Sequence, residues 1–134
     1  MGRQIIAVVA GVIAAGVVVY LMEMLSHGIF PPPASMDPMD PQSIKAHLDQ
    51  LPAGAFLLVL LGWGLGSFTG GFTAAKIAGT RTLRAAVIVG VIQMLGGILN
   101  MTLIPHPLWM VVAGLLIFVP MAWLGGKIAG SPAG

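Results

Sequence analysis

The stretch AFLLVLLGWGLGSFTGGFTAA, from Ala55 to Ala75, holds no charged residue and no proline from end to end. A hydrocarbon core of about 30 Å is crossed by about 20 helical residues, and this run has that length. Three more runs read the same way: Ile5 to Leu25, Ala85 to Met101 and Pro107 to Ile128. Almost every formal charge falls between them. The chain is therefore expected to be all-α, an integral membrane four-helix bundle forming a single domain over residues 1–134. The expected spans are about 5–26, 54–76, 84–103 and 107–128, with a linker over 27–53.

Composition points to the same solvent. Hydrophobic residues make up 57% and charged residues 7% of the chain, whereas a soluble domain carries roughly 25% charged residues. Mean hydropathy is +1.00. The basic balance rests on six Lys and Arg residues spread along the sequence, which is no nucleic-acid footprint. Cysteine is absent, so disulfides, thiolate metal sites and thiol nucleophiles are excluded. Arg3 followed by apolar residues has the look of a signal peptide, but the run to Leu25 is longer than a signal core and no small-residue cleavage site follows. It reads as a retained first span.

Arg3 precedes the first span, Lys76, Arg81 and Arg84 bracket the turn between the second and third, and Lys127 closes the fourth. Lys45 stands on the other side beside Asp37, Asp40 and Asp49. The positive-inside rule then puts both termini in the cytoplasm. Trp109 and Trp123, near opposite ends of the fourth span, suit the two headgroup levels. The tight connections Gly79 to Thr82 and Ile104 to Pro107 make the second span an antiparallel neighbour of the third, and the third of the fourth.

The linker is different in kind. Pro31, Pro32 and Pro33 favour an extended path. Asp40 then caps a helix whose first residue is Pro41. Ile44, Leu48 and Leu51 make an apolar stripe on that short amphipathic helix, which is expected on the outer membrane face or across the bundle mouth. The tetrapeptide Lys76-Ile77-Ala78-Gly79 recurs as Lys127-Ile128-Ala129-Gly130, and proline clusters follow both the first and third spans. Two tandem helical hairpins would produce that pattern.

Gly62, Gly66, Gly70 and Ala74 recur at four-residue steps along the second span, with Ser67, Gly71 and Ala75 in a row alongside. In lipid, helices associate through close backbone approach at small residues. Ala7, Gly11 and Ala15 of the first span, and Gly126 and Gly130 of the fourth, are the expected partners. The same face serves either intramolecular packing or a homo-oligomer or larger membrane complex. Gly64-Leu65-Gly66 lies inside this apolar helix without a preceding strand or a Gly-Lys-Ser/Thr sequence, so no phosphate loop is read there.

Polar residues gather at the other end of the spans. Glu23 and His27 are one helical turn apart. Asn100 reaches the same level from the third span, and His106 follows in the next turn. Glu23 is the one acid inside a span, and at a helix C-terminus it opposes the macrodipole, so it calls for a positive or hydrogen-bonding partner. Glu23, His27 and His106 together offer a carboxylate and two imidazoles, an adequate set for a divalent metal, with Asn100 behind them. The competing expectation is that Glu23 and His27 sit hydrated at headgroup level and satisfy one another. His47 of the linker helix is placed to fold over the site. Gln93, about 14 Å up the third span from Arg84, is expected to bond across helices, and Ser67, Thr69 and Thr73 to bond back to their own helix. Pro120 is expected to kink the fourth span. The methionines toward the outer side read as fillers of apolar gaps.

Glu23-Met24-Leu25-Ser26-His27, the prolines at 31 to 33, Asp40-Pro41, the glycine-rich second span and Ile104-Pro105-His106-Pro107-Leu108-Trp109 together give a resemblance covering nearly the whole chain. The sequence resembles an uncharacterised family of small bacterial four-helix inner-membrane proteins. That resemblance implies a bacterial cytoplasmic membrane and no particular activity. The small multidrug transporters also have four helices and a glutamate in the first, but there the acid lies deep and the charge bias is weak. The first expectation is a non-enzymatic scaffold, accessory subunit or homo-oligomer; the second is a small transporter or a metal- or proton-responsive protein.

Overall fold

The computed structural model describes residues 2–31, 37, 39–50, 52–79, 82–103 and 108–129, apart from the side chains at 48, 49 and 53. These residues form α1 (Gly2–Ile29), α2 (Pro41–Gln50), α3 (Ala53–Ala78), α4 (Thr82–Leu103) and α5 (Leu108–Ala129). Among the described residues four helices, α1, α3, α4 and α5, are long and apolar enough to cross a membrane. Helix is the form that satisfies every backbone donor and acceptor within one segment where no water is at hand. The chain is thus an all-α integral membrane protein. α1 runs past the expected boundary to Ile29, and α5 continues as helix through Pro120.

α3 is the hub. It packs against α1, α5 and α4, while α4 lies on α5 and touches α1, and α1 and α5 do not meet. The glycine rows explain why. A Cβ placed at Gly70 would lie 2.8 Å from the Gly11 carbonyl oxygen, and one at Gly11 would lie 2.6 Å from that of Gly70. A Cβ at Gly66 would come 3.1 Å from the Ala15 carbonyl oxygen, and one at Gly62 would come 2.9 Å from the Met22 Cβ. The row Gly62, Gly66, Gly70 and Ala74 is therefore covered by α1 of the same chain, with the expected Ala7, Gly11 and Ala15 all buried.

The second row faces α5. Gly71 lies under the backbone of Ala122, and Gly125 under the backbone carbonyl of Phe68, too close in both cases for any side chain. The closest partner on α5 is thus Gly125; the expected Gly126 also borders the row, a Cβ there lying 3.8 Å from the Gly71 carbonyl oxygen, but turns chiefly to the Ala86 methyl of α4. Gly130 lies outside the described residues. The reason is angular: one residue is 100° on a helix, enough to turn Gly126 from one neighbour to the next. Three further glycines, unread in the sequence, seat large groups: Gly97 beneath the Phe118 ring, Gly114 beneath Trp63 and Gly90 against the Val119 backbone.

Two clusters fill the interior. Ala7, Ala74, Ala78, Ala85 and Val89 pack toward the end carrying Arg3, and Phe56, Trp63, Met110 and Phe118 toward the end carrying the linker. Trp63 and Phe118 stack with centroids 5.4 Å apart, and Phe56 meets Trp109 edge to face at 6.4 Å. At the basic end Arg3 Nε donates to the Ile77 carbonyl over 2.6 Å, tying the start of α1 to the end of α3. Gly79, at φ 74°, closes α3 beneath that guanidinium; few residues other than glycine take that backbone readily. The repeated lysines behave alike: Lys76 lies 5.7 Å from the Phe72 ring and Lys127 4.9 Å from the Trp123 ring.

Candidate functional site

Glu23 and His27 occupy the last two turns of α1 and both are exposed. Val19, one turn before Glu23, packs against the aromatic cluster shared by α3, α4 and α5. Glu23, seven residues after Gly16, lies on the same exposed stripe of α1, whose Cβ position at Gly16 meets nothing within 4 Å. Met22 lies on Gly62 of α3, and Trp63 and Met101 meet over Gly114, so Glu23 and the α4 residues around Met101 share a level. Asn100 is half-buried at that level. The structure thus brings Glu23, His27 and Asn100 to one end of the bundle. It links none of them by hydrogen bond or ion pair. His106 lies outside the described residues.

Among the described residues no three His, Cys, Asp or Glu side chains stand close enough together to hold a metal ion. Glu23 and His27 supply one oxygen and one nitrogen donor on adjacent turns of an exposed helix end, and a third ligand would have to come from His106. Chemically this is an accessible carboxylate next to an imidazole, open to protons, cations and ammonium groups.

α2 is built as the sequence predicts and placed otherwise. The Asp40 carboxylate accepts from the Gln42 N–H at 3.1 Å, with Pro41 as the first helical residue. Ser43 Oγ accepts from the Asp37 N–H at 2.8 Å, and the Asp37 carboxylate from the Met39 N–H at 2.9 Å, so side chains tie the approach to the helix. Yet α2 packs on none of the long helices among the described residues. Among the described residues His47 therefore does not cover Glu23 as expected, and α2, with three prolines before it and Pro52 after it, is held there by its own cap.

The polar side chains inside the bundle also depart from expectation. Gln93 is half-buried and makes no hydrogen bond among the described residues. Ser67, fully buried, leaves its Oγ without a partner, whereas Thr102 returns its hydroxyl to the Leu99 carbonyl at 2.7 Å. Ser67 lies between Trp63 and Gly70 on the side of α3 that meets α4. Sequence reading missed this side because Gly97 and Gly90, spaced by seven residues, were not recognised as the seats that pull α4 toward α5. Compared with family models, with curated proteins and with solved structures, the chain matches none. The family resemblance accordingly rests on its motifs alone.

Proposed function

We propose that this protein is a non-enzymatic structural component of a membrane, an accessory subunit of a larger assembly or a homo-oligomer, rather than a catalyst. The supporting observation is how the glycines are used. Both small-residue faces of α3 are taken up within the chain, by α1 and α5, which makes a stiff four-span block with long aliphatic side chains turned outward. Ile5, Ile6, Val9, Ile13 and Val17 on α1 are all at least half exposed. Lateral association would then use outward aliphatic faces such as this one on α1, because the glycine row is already covered. The basic residues Arg3, Lys76, Arg84 and Lys127 favour the cytoplasm for the end they share, and a bacterial inner membrane agrees with the motif resemblance. Photo-crosslinkers placed at Val9 and Val17 in native membranes test the reading: a discrete protein adduct supports it, and adducts to lipid alone remove it.

A second reading is favoured by the exposed pair at the end of α1. Glu23 and His27, with His106 from the turn before α5, would form a divalent metal or proton site in a small transporter or responsive protein. Calorimetric titration with zinc, compared with Glu23→Gln and His106→Ala, decides this version; absence of heat and an unchanged melting temperature end it.

A further inference from the structure

We infer that the outward stripe of α1 pairs in parallel with the same stripe of a second copy of this chain, Glu23 of each copy facing His27 of the other. Ile5, Val9, Gly16, Tyr20, Glu23 and His27 fall within about 60° of one another on a helix that turns about 100° per residue. They lie on the side away from Ala7, Gly11 and Ala15, which are buried. Ile5, Val9 and Tyr20 are 59%, 52% and 62% exposed, and Glu23 and His27 are exposed too. A Cβ placed at Gly16, at the middle of the helix, meets nothing within 4 Å. The outward faces of α4 and α5 also carry long aliphatic residues, Leu95 and Leu99 on one, Val112 and Leu116 on the other. Of the four long helices, however, α1 alone carries an acidic residue or a histidine.

Charge decides the occupant. Glu23 stands about 27 Å along the helix from Ile5, at the boundary of a hydrocarbon core of about 30 Å. Neither Glu23 nor His27 makes an ion pair or hydrogen bond among the described residues, although they are one turn apart on the same helix. At that boundary the effective dielectric is below that of water, so a carboxylate–imidazole pair counts for more than on an open surface. Copies of one chain carry the same charge bias and insert with the same end inward, so two α1 helices that meet in one membrane run parallel. About a two-fold axis along the membrane normal, contacts are reciprocal: an acid and an imidazole one turn apart supply two identical pairs, each running diagonally across the interface. The imidazole N–H donates to a carboxylate whether the ring is neutral or protonated. The two carboxylates share a level, so the pairing needs His27 on both copies. Gly16 lets the two backbones approach, which is the contact that holds helices together in lipid. The stripe is thus self-complementary, whereas any other occupant would have to bring an acid and a base of its own in matching positions. The inference rests on the structural role proposed above and narrows its partner to a second copy.

The chain has no cysteine, so a disulfide at twice the chain's mass from a single introduced thiol reports a second copy. In native membranes under mild oxidation, Val9→Cys and Gly16→Cys are expected to give that band, and Leu116→Cys on the outward face of α5 is expected to give none. In the Val9→Cys background, Glu23→His and His27→Glu should each weaken self-association about tenfold, the scale of two partly screened ion pairs. Combining Glu23→His with His27→Glu exchanges acid and imidazole and should restore the linked fraction, which a merely structural role for either residue would not do. No self-link at Val9→Cys and Gly16→Cys, an equal link at Leu116→Cys, or an exchange that fails to restore the linked fraction overturns the inference. If the photo-crosslinkers at Val9 and Val17 capture another protein and the cysteines give no self-link, the inference falls and the structural role stands; adducts to lipid alone remove both.

Discussion

α1 and α3 are nearly the same length, at 28 and 26 residues, and both are able to span a membrane, yet half of the α3 span window is buried in the protein against 17% of that of α1. The buried one is the less hydropathic of the two. In water the order would be reversed, because burial there removes apolar surface from solvent. In lipid there is no such gain, and the helix that goes inside is the one whose small residues let neighbouring backbones approach. α3 has glycine on two faces and becomes the hub; α1 has one narrow row, Ala7, Gly11 and Ala15, and shows the rest of its surface outward.

Substitutions on the two helices separate these roles. The largest effect is expected at Gly71, where any side chain runs into the Ala122 backbone. Gly71→Leu should cost more than about 3 kcal/mol, beyond the usual range for overpacking, and should appear as loss of the monodisperse peak in detergent gel filtration. Gly11→Ala comes next. Its new methyl falls 2.6 Å from the Gly70 carbonyl oxygen and 2.8 Å from Val89 Cγ2, so a destabilisation of about 1–3 kcal/mol is expected by thermal unfolding. If Gly11→Ala were neutral, the α1–α3 crossing would be looser than the structure has it.

Smaller changes sharpen the contrast. Asp40→Ala removes the cap of α2 and should cost that helix about 1 kcal/mol, seen as faster hydrogen exchange over Pro41–Gln50. The bundle should melt at an unchanged temperature, since α2 packs on none of the long helices among the described residues. Gly16 on α1 has nothing within 4 Å of its Cβ position, and Gly16→Leu should leave the melting temperature of the isolated protein where it was. The same variant tested in native membranes doubles as a probe of the outer face: a lost crosslink there would place a partner on it.

Much of the fold is legible in the residues. The apolar runs, the tight connections, the Asp40–Pro41 cap and the match of Gly66 and Gly70 to Ala15 and Gly11 all follow from length, charge and four-residue spacing, while Gly62 meets Met22 instead. On α5 the closest approach comes at Gly125, one residue from the expected Gly126, because spacing along one helix does not say which of two neighbours a face will chiefly meet. At the candidate site, the level shared by Glu23, His27 and Asn100 is a matter of counting turns and could be read directly. Whether those groups touch could not, since that depends on how α1 and α4 are set against their neighbours, α4 on Phe118 of α5 through Gly97 and α1 on α3 through Gly66 and Gly62.

The sequence by itself determined the solvent, the number of membrane crossings, the basic end and the local chemistry of the linker, because each depends on the composition of a contiguous segment against a bilayer of fixed thickness. The tertiary structure alone decided that α3 is central, that its glycines are covered by the chain's own helices, that α2 packs on none of the long helices among the described residues, and that Glu23, His27 and Asn100 share a level without hydrogen bonds or ion pairs between them. These depend on angles between helices, and such angles are set by which small residue receives which large one from a segment far away in the chain.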